Sequence, residues 1–122
     1  MRIFTLKLKE RPFEAIKKGT KKIEIRANKE ECSGNSVNLM KEGDHISFQK
    51  EGSSDMIKCV VRRVVLYPDV KSLLLKEGTK YALSSTDDLE EGIRSIESIG
   101  TYKELITKNG VFAIELKYID GV

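Results

Sequence analysis

The sequence predicts an α+β domain in which the strands make one small, mostly antiparallel, strongly curled sheet or barrel with short peripheral helices. Three observations lead there. The strand-like stretches alternate apolar and polar residues, so each buries one face, as antiparallel sheets do and doubly wound parallel sheets do not. The longest β-branched stretch, Met56 to Leu66, changes parity part-way: Ile57, Cys59 and Val61 keep one phase, and Val64 and Leu66 take the other. A bulge at Arg62-Arg63 produces such a shift, and a curling sheet needs bends of that kind. The helix signals are short and bounded by caps and glycines. With 122 residues, the chain suits one domain, 1–122, with a core that needs no staples.

Taken in order, Phe4, Leu6 and Leu8 alternate with Thr5, Lys7 and Lys9, giving a half-buried first strand. Residues 12–18 read as a helix. Pro12 suits its first position, Phe13 and Ile16 share a side, and Lys17 and Lys18 lie in the last turn, where the helix dipole favours positive charge. Gly19 stops this helix in the left-handed conformation. A strand at 21–27 follows, with Ile23 and Ile25 on one face and Lys22, Glu24 and Arg26 on the other.

Asn28 to Met40 is a long polar loop containing Cys32, and Lys41-Glu42-Gly43-Asp44 is a turn. Ile46 and Phe48 mark a third strand, with His45 on its polar face, and residues 51–55 join it as a hairpin to the strand from Met56. Arg62 and Arg63 at the bend read as a solvated corner, with a phosphate-binding pair as the functional alternative. Pro68-Asp69 opens a short helix that Gly78 ends, and 79–85 is irregular. Ser85, Thr86, Asp87 and Asp88 start another helix, with Leu89, Ile93 and Ile96 on one side. Thr101 and Glu104 have capping-box spacing before a last short helix, and Phe112, Ile114, Leu116 and Tyr118 mark the closing strand.

Composition narrows the function. Charged residues make up 34% of the chain and hydrophobic ones 39%, and the net charge is +3. That balance permits phosphate contacts and argues against a large non-specific nucleic-acid footprint. One histidine and two cysteines without ligand spacing point to no metal site, and no cofactor motif is present. Both thiols read as reduced and the chain as cytoplasmic, with neither a signal peptide nor an apolar run of about 18 residues.

The chemistry concentrates in Gly19-Thr20-Lys21-Lys22-Ile23-Glu24-Ile25-Arg26. One tight helix-to-strand turn brings Lys21, Glu24 and Arg26 within a few residues of one another. Strict alternation puts Lys21 on the Ile23 side, so the three converge only if Lys21 precedes the regular strand or the strand twists there. As a binding cleft, Lys21 and Arg26 would contact phosphate or a base edge, Glu24 would accept from an exocyclic amino group, and Tyr81 or Tyr102 would stack on a base. The charged ends are then expected to open into one concavity. Alanine at Lys21 or Arg26 is expected to weaken binding and leave the fold intact. Otherwise these charges are the wet face of a strand.

The pattern Gly19-x-Lys21-x-x-Glu24-x-Arg26, after a helix carrying Pro12, Phe13 and Ile16, resembles the signature of the ASCH (activating-signal-cointegrator homology) domain family. Gly43 to Phe48, Leu73 to Gly78 and Gly110 to Leu116 resemble the family's turn and strand, later helix and closing strand, so the resemblance spans roughly residues 3–118. It implies a PUA-like β-barrel and an RNA, nucleoside or nucleotide ligand in a cleft beside it. Small bacterial members are amidohydrolases of N4-acetylcytidine, using a lysine, a threonine and a glutamate, and some members are linked to ribonuclease activity. Lys21 matches the lysine, and Glu24 stands in the threonine's place. No residue of 83–88 matches the glutamate, with Asp87 and Asp88 the nearest carboxylates. A hydrolase using Lys21 and Glu24 is therefore the alternative to a binding protein.

Overall fold

A computed structural model describes residues 1–30 and 36–119. The Cys32 thiol of the polar loop lies outside the described residues. The elements are β1 (Ile3–Leu8), α1 (Glu10–Lys18), β2 (Ile23–Ala27), a one-turn 3-10 helix (Val37–Leu39), β3 (His45–Lys50), β4 (Met56–Tyr67), α2 (Val70–Glu77), α3 (Leu89–Glu97), α4 (Tyr102–Asn109) and β5 (Val111–Ile119). The α+β class, the element order and the curled sheet agree with the sequence reading.

The five strands form one sheet in the order β1-β3-β4-β5-β2. Three pairings are antiparallel and β1–β3 is parallel, with Phe4 opposite Ile46. The parallel pair is the exception to an otherwise antiparallel sheet, and α1, β2 and the loop after it supply the long crossover that a parallel pair requires. The predicted bulge is present. Val61 pairs with Leu116 and Arg63 with Glu115, leaving Arg62 as the extra residue. After it, Val64 returns to the interior opposite Ile114, so the parity shift keeps apolar side chains inward on both sides of the bend.

Two apolar clusters sit on the two faces of this curled sheet. The inner one joins Phe4, Phe48, Cys59, Val61 and Ile114, and Phe13 and Ile16 of α1 close its end. The outer one joins Ile23, Val111 and Ala113 to Val70, Leu73 and Leu74 of α2, Ile96 of α3 and Ile106 of α4. Alternation along β5 assigns the faces: Ile114 and Leu116 lie within, and Val111 and Ala113 lie under the helices.

Two helix starts differ in detail from the sequence reading. Helix α1 begins at Glu10, so Pro12 lies inside its first turn, where its missing N–H is still harmless. Helix α3 begins at Leu89, with the Asp88 carboxylate accepting from the Glu91 N–H at 2.9 Å. At α4 the Thr101 side chain makes no cap bond, so the expected capping box does not form. Tyr102 N–H donates instead to Ile99 O at 2.8 Å, tying the helix start to the preceding turn.

Candidate functional site

The α1–β2 turn is built by backbone hydrogen bonds. Gly19 adopts φ +82°, and the Thr20 and Lys21 N–H groups both donate to Ala15 O, at 3.0 and 3.1 Å. The regular strand starts only at Ile23, so Lys21 is free of strand alternation, the condition under which the three charged residues converge. Residues 81 and 82 are strapped across the turn: Lys22 and Ile23 N–H donate to Tyr81 O at 2.8 and 3.0 Å, and Lys21 Nζ donates to Ala82 O at 2.6 Å.

Glu24 pairs with Ile114 and Arg26 with Phe112 across β2–β5, so both start on the inner face of the sheet. Lys21 is 6% exposed and Glu24 5%, which rules out the reading of a wet strand face for these two. One carboxylate serves both cations. Glu24 Oε2 accepts from Arg26 Nε at 2.7 Å, and Oε1 lies 3.7 Å from Lys21 Nζ. Lys21 Nζ also donates to Ile23 O at 2.7 Å. Arg26 donates a further hydrogen bond to Lys7 O at 3.0 Å, bridging β1 and β2 where the sheet has no backbone pairing.

Burial pushes the Lys21 pKa below the usual lysine range, and the Glu24 charge only partly offsets this. Burial also opposes the Arg26 charge, but Glu24 outweighs it and the guanidinium pKa is raised. Nearby, the buried Cys59 thiol is pushed up to about 12, first by desolvation and then by the Glu24 charge, so it is no nucleophile.

The expectation of one concavity is corrected, because two clefts flank the cluster. The larger, about 420 Å³, takes in Gly19, Lys21 and Tyr81. It forms where β5 outruns β2: Ile23 pairs with Glu115, leaving Leu116, Lys117 and Tyr118 to face the α1–β2 turn. The smaller, about 220 Å³, lies at the β1–β2 seam and takes in Arg26 and Tyr102. Glu24 lines neither and lies between them as the shared counter-ion. Each alanine change at Lys21 or Arg26 would remove one partner of this ion cluster, so a loss of stability is expected beside any loss of binding. Asp87 and Asp88 are exposed and line neither cleft.

The larger cleft holds residues that the motif did not single out: Lys22, Arg62, Arg63, Glu77, Glu115 and Lys117. Arg63 is fully engaged, with its Nε donating to Glu115 at 2.6 Å and both terminal nitrogens donating to Glu77, which also accepts from the Tyr67 hydroxyl. Arg62, the bulged residue, touches Glu115 only at 3.7 Å and is 57% exposed. The Tyr81 ring has Lys22 Nζ at 4.8 Å and Lys80 Nζ at 5.3 Å from its centroid. Of the six residues that the motif did not single out, Arg62 and Arg63 carry a functional reading in the sequence, as the phosphate-binding alternative at the bend. The rest comes together only through the sheet order. Among the described residues no cluster of three or more His, Cys, Asp or Glu could hold a metal, and no helix is long and apolar enough to cross a membrane.

The ASCH domain family model matches residues 6–120. The chain belongs to the ASCH domain family. This ASCH domain is similar over nearly its full length to two solved structures of Pyrococcus proteins. The crystal structure of hypothetical protein PH0355 shares 33% identity over 96% of this chain and 99% of its own, with a TM-score of 0.80. The solution NMR structure of protein PF0455 from Pyrococcus furiosus shares 31% identity over 96% of this chain and 97% of its own, with a TM-score of 0.73. No curated protein matches the chain. The PUA-like fold expected of an ASCH domain is the fold observed.

Proposed function

We propose that this ASCH domain binds single-stranded RNA or a nucleotide in the larger cleft. The observation that carries the reading is the joint presence there of accessible cations, Lys22, Arg62 and Lys117, with the partly exposed ring of Tyr81. Phosphate requires the first and a base face the second. Membership of a family related to RNA-binding PUA domains supports it. In this reading Arg62 leaves its long contact with Glu115 for a phosphate, whereas Arg63 stays locked to Glu77 and Glu115 as part of the wall. A base stacks on Tyr81 by displacing one of the two lysines, which then reaches the backbone. Lys21, Glu24 and Arg26 hold the turn and the 81–82 strap in place from beneath.

The hydrolase alternative draws on one observation, the lowered pKa of Lys21. Geometry weighs against it. Lys21 Nζ is surrounded by Ile23 O, Ala82 O and a Glu24 oxygen, so its three ammonium hydrogens all face acceptors and no lone pair is presented to a substrate.

The test is an anisotropy titration with a labelled short RNA over a salt series. Tyr81→Ala is expected to cost about 1–3 kcal/mol of binding. Arg62→Ala is expected to weaken binding and to make the salt slope shallower by about 0.7. Wild-type affinity in both variants would refute the cleft assignment.

A further inference from the structure

The seam cleft between β1 and β2 differs in character from the larger one. Its charged lining residues are Arg26 and Lys29, and no carboxylate lines it among the described residues. Leu6 and Tyr102 form apolar walls. Lys29 is exposed and has no ion-pair partner among the described residues. Behind this wall Lys21 and Arg26 share the carboxylate of Glu24 as their direct ion-pair partner, and Glu51 adds a weaker attraction to Arg26. A buried lysine and a part-buried arginine on one directly paired carboxylate form an arrangement that a second anion at the exposed side of Arg26 would complete. Of the two clefts, Arg26 lines the seam cleft and not the larger one.

We propose that the seam cleft is a second, separate binding site that takes one phosphoryl group, its oxygens lying between the Arg26 guanidinium and the Lys29 ammonium. A guanidinium suits a phosphate because its planar N–H groups match the oxyanion edge, and Lys29 adds a mobile point charge at the mouth. The site has room for a phosphoryl group and a small part of what carries it. A bound oxyanion here adds a negative charge beside Arg26, and binding to the folded chain alone stabilises it by mass action. The inference does not depend on RNA binding in the larger cleft, because the two clefts share no lining residue.

The test is an NMR titration of isotopically labelled protein with inorganic phosphate at constant ionic strength, using chloride as the control anion. The expected result is a saturable shift of the Arg26 Nε–H and Lys29 amide signals, with affinity at least tenfold weaker in Lys29→Glu. Lys29 is exposed, so the charge reversal leaves the buried cluster untouched. A second arm uses a short RNA. Shifts at Arg26 with RNA but not with phosphate, lost in Lys29→Glu, would assign the phosphoryl group to a bound strand. Shifts at Tyr81 and Lys22 report the larger cleft independently. Arg26 signals that respond to neither ligand, or that respond equally in Lys29→Glu, would overturn the proposal.

Discussion

Replacing Glu24 by Gln is the most informative perturbation of this fold. The carboxylate is 5% exposed and faces two cations, of which Lys21 is 6% exposed and the Arg26 side chain 22%. Glutamine keeps the shape and removes the charge, leaving two like charges side by side in the barrel. Removing one partner of a buried ion pair costs about 3–5 kcal/mol, which is a large share of a typical domain stability of about 5–15 kcal/mol. With a urea m-value of about 2 kcal/mol/M, the midpoint falls by about 2 M. The relief available to the variant is deprotonation of Lys21, whose pKa is already lowered by burial and loses the support of Glu24. The unfolded chain then binds more protons than the folded one between the lowered folded pKa and the unfolded value of about 10.4. Stability of the variant therefore rises with pH across that window. Urea titrations followed by far-UV circular dichroism and tyrosine fluorescence, since the chain has no tryptophan, measure both effects. A loss below about 1 kcal/mol, with a pH dependence like that of the wild type, would show that the charges are not buried together. The double variant with Lys21→Met should recover part of the loss, because it removes one of the stranded cations.

Other consequences follow from single contacts. Asp44 is 1% exposed and accepts from the Arg2 and Lys41 N–H groups, both at 3.0 Å, and these bonds hold its carboxyl below the usual range. Its stabilisation is present above the unfolded pKa of about 3.9 and is lost as pH falls through the folded value, so Asp44→Ala should cost about 2 kcal/mol at pH 7 and flatten the acid limb of a stability-versus-pH curve. Gly110 has φ +89°, and a Cβ there would meet Tyr67 O at 2.7 Å, so Gly110→Ala should lower stability by about 1–3 kcal/mol in the same urea assay. Incubation with N4-acetylcytidine should release no cytidine by chromatography; release that disappears in Lys21→Ala would restore the hydrolase reading.

Much of the fold was legible because its determinants are local. Alternation in β1 and β5, the Gly19 stop and the parity shift at Arg62 each needed only neighbouring residues. The parallel β1–β3 pair was not legible, because the partner of a strand is chosen across the whole chain. The motif residues were found, yet alternation gives the parity of Glu24 and Arg26 without saying which face of the sheet is the interior. A charged inner face becomes tolerable only because the cluster pairs internally, and Arg26 also gains Lys7 O across the seam. The division into two clefts was invisible for the same reason. Lys22, Arg62, Tyr81 and Lys117 come from four separate segments, and only the offset between β2 and β5 brings them to one wall. At Thr101 the residue spacing of a capping box was present, but the backbone enters the helix at φ −96° and ψ 16°, without the extended conformation that aims the hydroxyl at the helix N–H groups.

In the proposed reading the motif cluster supports the larger cleft from beneath while residues on its wall meet the ligand. Mapping cytidine 5′-monophosphate onto the protein by heteronuclear NMR tests this most directly. Saturable shifts should concentrate on the 19–23 turn, Arg62, Tyr81 and Lys117, with the Lys21 ammonium signal retained in the complex. Shifts confined to α3 and α4, or no saturable shift at all, would contradict it.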